Sequence, residues 1–228
     1  MLLLSSLPEG EALSLVGAEE ELSEELSEPE LTRLFSQPLL ELMCDETDLH
    51  ARLLAWAAAL QVYERLDAAG KSRLGSHWRQ RQLPSLLQAL VGALPLDELE
   101  SVPPITHNSV AAACAAGSPS LGELAVVLYC QMLRSLPSLV RHWWSHELPS
   151  RAASAALARF TEARASPMLL RQEVEAISNN SERLSGDNFK VRGSVATRQI
   201  AASYSCEGSA MQIVLQLSTC HPLRTVDV

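Results

Sequence analysis

The chain has 228 residues, 47% of them hydrophobic and 20% charged, which is enough for one large domain or two small ones with apolar cores. Aromatic residues make up only 4%, so the core must be built mainly from Leu, Ala and Val, a composition suited to helices packed on helices. The net charge is −9, but the acidity is local: Glu9 through Asp48 hold thirteen acidic residues against Arg33 alone, and the rest of the chain is close to neutral. That balance argues against free nucleic-acid binding by a broad basic surface, while leaving room for a local Arg patch on phosphate. Cys44, Cys114, Cys130, Cys206 and Cys220 show no close pairing and read as reduced thiols of a cytosolic or nuclear protein. Leu2 to Leu4 is too short for a signal-peptide core. No run approaches the roughly eighteen apolar residues of a membrane span, so no membrane partner is expected. The Asn179-Asn180-Ser181 sequon has no use without secretion.

Residues 1–47 read as an acidic arm, partly disordered or helical. Ala12, Leu13, Leu15, Val16, Leu22 and Leu26 are scattered among glutamates, and Pro29 and Pro38 flank Leu31 to Phe35. Residues 48–180 read as a helical region. Leu49, Leu53, Trp56, Leu60, Tyr63 and Leu66 recur at spacings of three and four and predict a helix over 48–69, opened by Thr47 or Asp48 and closed by Gly70. A second stripe, Leu86, Leu87, Leu90 and Val91 behind Pro84, predicts a helix over 83–94, the two forming a helical hairpin. Prolines at 95, 103, 104 and 119 predict a long loop with one weak helical turn at Ala111 to Ala116. Leu124, Leu128, Met132 and Leu136 share a face from Leu121 until Pro137 interrupts, and Leu139 to Trp144 continue it as a short helix. Further helices are expected over 149–165 and 166–180.

Ser178 to Asp187 is polar and reads as a domain boundary. Over 188–228 the period changes to two. Phe189, Val191, Gly193 and Val195 alternate with polar residues. The phase then shifts to Ile200, Ala202 and Tyr204, which requires a bulge or turn between Ala196 and Gln199. Glu207-Gly208-Ser209 predicts a hairpin into Met211, Ile213, Leu215 and Leu217. Pro222 is expected to end that strand, and Thr225 to Val228 to start another. A sheet opening this late is the expectation for a piece of something longer, with an open edge and an exposed apolar face.

Residues bearing recognisable chemistry are few. His142 and His146 lie four apart on a helix, but no third ligand is spaced to join them, and Glu147 is expected to point elsewhere. Cys206, Cys220 and His221 lack the paired spacing of a zinc module. There is no Walker loop, no GxGxxG and no nucleophile elbow, so no catalytic residue and no metal ligand is assigned. Trp143 and Trp144 read as core or helix-interface anchors, with Trp143 the sharper candidate for a partner contact. Lys190, Arg192 and Arg198 alternate with apolar strand residues. They read as the solvated face of a half-buried sheet or as an anion-contacting surface, with Phe189, Val191 and Val195 packing inward.

Several segments in order, Leu136-Pro-Ser-Leu-Val-Arg-His-Trp-Trp, Arg159-Phe-Thr, Val191-Arg-Gly-Ser-Val-Ala-Thr-Arg-Gln-Ile-Ala-Ala-Ser-Tyr, Ile213-Val-Leu-Gln-Leu and His221-Pro-Leu, resemble the C-terminal part of the listerin family of RING-type E3 ubiquitin ligases. The resemblance covers roughly residues 120–228; the helices before it are compatible with the family but not specific to it. It implies a HEAT-like antiparallel helical solenoid over 48–180, followed over 188–228 by the first antiparallel strands of a truncated α+β RWD domain. It also implies a role in ribosome-associated quality control, in the cytosol. Such ligases bind obstructed large ribosomal subunits together with nuclear export mediator factor and ubiquitylate the stalled nascent chain. A zinc-braced RING recruits the ubiquitin-charged E2. This chain carries no RING ligand set and so implies no cofactor of its own, and it has His221-Pro222 where the family's turn reads Tyr-Pro. The alternative left open is a free-standing α-solenoid interaction scaffold without a ubiquitin role.

Overall fold

The computed structural model of the chain describes residues 26–97, 105, 109–148, 150–180, 186, 188–206 and 209–224. Residues 1–25 of the acidic arm, Pro103, Pro104, Ser181 of the sequon, the Glu207-Gly208 turn and a strand over Thr225 to Val228 lie outside them. The described elements are helices followed by a small antiparallel sheet, the mainly α, HEAT-like arrangement expected. In chain order they are α1 (Glu28–Leu34), α2 (Gln37–Cys44), α3 (Leu49–Arg65), α4 (Ala68–Arg81), α5 (Leu83–Ala93), α6 (Val110–Ala116), α7 (Leu121–Ser135), α8 (Pro137–His146), α9 (Arg151–Phe160), a π-helical turn (Thr161–Ala165), α10 (Ser166–Asn179), β1 (Phe189–Ser194), β2 (Gln199–Cys206) and β3 (Ser209–Gln216). The helical period thus gives way to the strand period at Phe189, and the described residues from 48 to 94 contain no strand.

Helix starts follow local chemistry. The Asp48 and Asp67 carboxylates accept from Ala51 N and Gly70 N, and Ser120 and Glu123 accept reciprocally from each other's backbone N–H, which satisfies donors that the first helical turn would otherwise leave open. At α1, Glu30 accepts from Ser27 N and Ser27 Oγ at 2.9 and 2.7 Å and from Arg73 of α4 at 2.7 Å. The Ser27 backbone and hydroxyl donors, then Arg73, hold its carboxyl down at about 2.

Gly70 does not end the first long helix. That helix stops at Arg65, Asp67 caps a new one, and Gly70 sits in its first turn. Between the two helices of the expected hairpin stands α4, a whole helix that the apolar spacing does not announce. The face of α4 that matters is carried by Leu74 and Trp78. Trp78 is 1% exposed, and its ring lies 5.0 Å from Trp56, 5.5 Å from Tyr63 and 6.2 Å from Phe35, a cluster of large apolar surfaces joining α1, α3 and α4. Arg52 is buried as well. It donates to Met43 O and to Ser85 Oγ, and Trp56 Nε1 donates to the same Met43 carbonyl. The end of α2 is thereby fastened to α3 and α5.

The central helix is α7. Every residue from Leu124 to Leu133 is buried, and α3, α5, α6 and α8 pack around it. A helix buried on all sides, and apolar there except for Gln131, has to be wrapped in this way. Pro137 opens α8 at 108° to α7, a corner where the sequence suggests a continuation. Among the described residues no single helix is long and apolar enough to cross a membrane. On the far side of α7, the Tyr129 hydroxyl meets Thr161 Oγ1 at 2.7 Å, and Thr161 in turn donates to Leu157 O. Burial pushes the Tyr129 phenol far above its usual range and the Cys130 thiol up to about 12, so neither ionises near neutral pH.

The sheet has strand order β1-β2-β3, with Ser194 paired to Gln199 and Cys206 to Ser209. The phase shift between Ala196 and Gln199 is a turn over Val195 to Arg198, with Arg198 at φ 54°. α10 packs on β1, and a Cβ on Gly193 would lie 3.0 Å from Val174 Cγ2, so glycine permits this close approach. Two expectations fail here. β3 ends at Gln216, well before Pro222; Leu217 N still donates to Arg198 O, and beyond it Cys220 and Leu223 are buried against the helices. Phe189 and Val195 do not pack inward but are 41% and 39% exposed. Helix and strand meet at Gly193, and Phe189 lies four residues, about 13 Å, further along β1.

Two substitutions test this packing. Trp78→Ala should destabilise the chain by about 3–5 kcal/mol, read from the denaturant midpoint at constant slope. Gly193→Val should cost about 1–3 kcal/mol by overpacking against Val174, whereas Val214→Thr on the exposed side of β3 should leave the midpoint near that of the parent chain.

Candidate docking surface

Strand alternation and register divide the sheet into two unlike faces. Phe189, Val191 and Gly193 of β1 lie across from Tyr204, Ala202 and Ile200 of β2, which lie across from Met211, Ile213 and Leu215 of β3. This face is apolar. The other face carries Lys190, Arg192 and Ser194, then Ser203, Ala201 and Gln199, then Gln212, Val214 and Gln216. The three strands contain two cations and no acidic residue, although the chain as a whole is strongly acidic.

Lys190 and Arg192 are both exposed and share the polar face. Among the described residues neither forms an ion pair. Their charges are therefore open to an anionic ligand, at the strength expected of solvated cations. The hydroxyls and amides around them add donors that suit phosphate or sugar oxygens without reading sequence.

Arg198 is not part of this surface. Its guanidinium turns back into the protein, where it donates to Ser166 Oγ and Ser218 O, both at 2.6 Å. Trp143 is not part of it either. It is 3% exposed and belongs to the helical core, and its neighbour Trp144 donates from Nε1 to Ser154 O. Of the four candidate contact residues, the structure brings together only Lys190 and Arg192.

The His142 and His146 rings stack with centroids 4.5 Å apart. His142 Nε2 lies 3.0 Å from Arg79 Nη2 and 3.8 Å from Glu147 Oε1. Glu147 thus turns back toward the pair instead of away, since it sits at the end of α8 as the chain leaves the helix. Among the described residues no three His, Cys, Asp or Glu side chains are grouped to hold a metal ion. Cys206 is exposed on the sheet, while Cys220 is buried against the helices.

Two polar arrangements are not visible in the sequence because their members are far apart along the chain. One is the Arg198 contact set. The other is an open cleft lined by Tyr63, Glu64, Lys71, Arg134 and Ser135. There Glu64 accepts from Ser135 Oγ at 2.6 Å and Arg134 Nη2 at 3.0 Å. Burial would raise the Glu64 carboxyl, but these two donors and the nearby Lys71 hold it below the usual range. The only signal for Arg198 is its position in the β1–β2 turn, where a left-handed backbone is usually supplied by glycine or asparagine.

The comparisons with known proteins agree with this architecture. The family model described as the LTN1 family HEAT repeat region matches residues 5–178, taking in the helices before Leu121 as well as those after it. The E3 ubiquitin-protein ligase listerin of Drosophila melanogaster is 32% identical over 108 residues, 47% of this chain and 6% of that protein. That of Mus musculus is 28% identical over 106 residues, 46% of this chain and 6% of its own length. That of Schizosaccharomyces pombe is 29% identical over 157 residues, 64% of this chain and 9% of its own. The chain thus spans less than a tenth of the length of these relatives. A match that runs through well over half of the chain, and through helices with the packing just described, makes it a member of the listerin (LTN1) family, within its HEAT repeat region.

Proposed function

We propose that this chain is a scaffold and docking segment of a listerin-like E3 ubiquitin ligase, and that it contributes no catalytic group to ubiquitin transfer. The family match carries the ligase assignment. In this reading the whole protein works in ribosome-associated quality control, in the cytosol. It engages large ribosomal subunits together with nuclear export mediator factor and ubiquitylates the stalled nascent chain. The sheet would be the start of an RWD domain. The E2 and the zinc belong to a RING elsewhere in the protein. Transfer by a RING is an orientation effect: a zinc-braced surface holds the E2 thioester in a reactive pose.

The polar face of the sheet is the surface we assign to the ribosome. The observation behind this is the pair Lys190 and Arg192, exposed side by side on strands that carry no acid. Ribosomal RNA presents phosphates, and cations held on a rigid strand meet them without needing a base sequence. The helical region fixes where that face points.

Two outcomes are expected. In a full-length ligase, Lys190→Glu with Arg192→Glu should reduce co-sedimentation with large subunits, and the dependence of binding on salt should become shallower, since about two phosphate contacts are lost. Binding unchanged across a salt series removes the ribosome-facing assignment. The 228-residue chain alone should not accelerate single-turnover discharge of a ubiquitin-charged E2 onto free lysine, and should bind no stoichiometric zinc. Discharge above the lysine-only rate would place catalysis within this chain.

A further inference from the structure

The segment that leaves β3 reaches back across the last helices. Leu217, Cys220 and Leu223 are buried, and Leu223 joins the helical core. Cys220 Sγ lies 3.7 Å from Ala158 O in α9 and 3.9 Å from Glu162 Oε2 in the π turn. His221 Nε2 lies 3.3 Å from Glu173 Oε1 in α10. Consecutive residues thus touch three successive pieces of the terminal helical layer. The π turn lies where the segment docks, and such turns interrupt helices at sites with a specific demand on geometry.

Arg198 ties this segment down at its start. From the β1–β2 turn it donates to Ser218 O and Ser166 Oγ at 2.6 Å and, at 3.4 Å, to Leu217 O and Thr219 O. Leu217 N donates to Arg198 O at 2.9 Å. Ser166 is buried at the first residue of α10. One guanidinium therefore joins the turn, the helix and the returning segment, using the fixed fan of donors that lysine lacks. Its backbone φ of 54° is uncommon for a residue with a side chain, and such a conformation persists where the surrounding contacts hold it.

The sheet needs this attachment. It has three strands, and α10 meets its apolar face at the Gly193 end, leaving Tyr204, Met211 and Ile213 exposed. A sheet so thinly covered buries little apolar surface of its own. Its buried contacts belong to the helical region. We infer that residues 217–223 form a strap, locked by Arg198 as its positioning residue, which makes the sheet and the α9–α10 layer a single cooperative unit with one fixed orientation.

Native-state hydrogen exchange on the full 228-residue chain tests this. In the parent chain, the slowest amides of β1–β2 and of α9–α10 should share one opening reaction. Arg198→Ala should speed exchange in both by a similar factor, on the order of tenfold or more for loss of charge-assisted hydrogen bonds, while α3 and α5 keep their protection. Arg198→Lys should restore part of it, and Leu223→Ala should affect the same two layers. If Arg198→Ala unfolds the whole chain, the same comparison is made with Arg198→Lys, the milder change. Acceleration confined to the sheet, with residues 151–179 within about twofold of the parent rates, overturns the inference, as does unchanged exchange in both layers.

Discussion

The burial of α7 on every side is the constraint from which the rest of the architecture follows. Ten consecutive residues, Leu124 to Leu133, have no solvent-facing side chain. One amphipathic neighbour cannot cover such a helix; several must, and α3, α5, α6 and α8 do. Fully burying a Leu, Val or Met side chain is worth roughly 1.5–3 kcal/mol against leaving it exposed. A helix of this kind is therefore unstable outside its sheath, and the sheath has little reason to assemble without it. Polar groups within it are costly unless satisfied in place, and Gln131 Oε1 finds no partner among the described residues. Tyr129 is satisfied through Thr161, and that contact links α7 to the π turn. From there the α9–α10 layer takes its position, and on that layer the sheet is hung.

This dependence makes the boundary between helices and strands unusual. A break in period and a polar linker mark it in the sequence, yet the tertiary contacts run across it. Gly193 touches Val174, Arg198 reaches Ser166, and Leu223 enters the helical core. A repeat protein needs its last repeat closed by something that shields the terminal apolar face. Here the returning segment after β3 contributes to that closure, with Leu157, Phe160 and Leu169 buried in the layer it docks on.

What could be read from the sequence is what depends on local spacing. The stripes Leu53-Trp56-Leu60 and Leu124-Leu128-Met132, the Asp48 cap and the change to alternation at Phe189 all act within a few residues of themselves. They appear where expected. α4 escapes because its sequence, Ala68 to Arg81, is mostly polar with two glycines. Only Leu74 and Trp78 commit it, and Trp78 becomes a core residue through Trp56, Tyr63 and Phe35, which no local pattern displays. The end of β3 escapes for a similar reason. Leu217 continues the alternation and still bonds to Arg198 O, but beyond it burial of Cys220 and Leu223 against the helices takes the chain out of the ladder. Of the candidate contact residues, Lys190 and Arg192 were legible because two-residue spacing fixes a shared face, whereas the fate of Arg198 was decided by partners nineteen to thirty-two residues away.

The same alternation gives the two faces different chemistry. A cation on a strand is effective at a distance only if its own protein does not neutralise it. Thirteen of the chain's acids lie between Glu9 and Asp48, and none lies within the strands. Arg198 is a cation too, but its guanidinium donors are taken up by carbonyls and Ser166, so it offers few of them to an outside ligand. Orientation then matters more than charge count. Two cations on a free-swinging sheet would sample many directions, and each docking event would have to freeze that motion. In the proposed docking role, the inferred strap meets the cost of ordering during folding and holds Lys190 and Arg192 outward from a fixed frame. Charge chemistry on one side of the sheet and helical packing on the other are therefore coupled through a single layer, α9 to α10, whose position is set by α7.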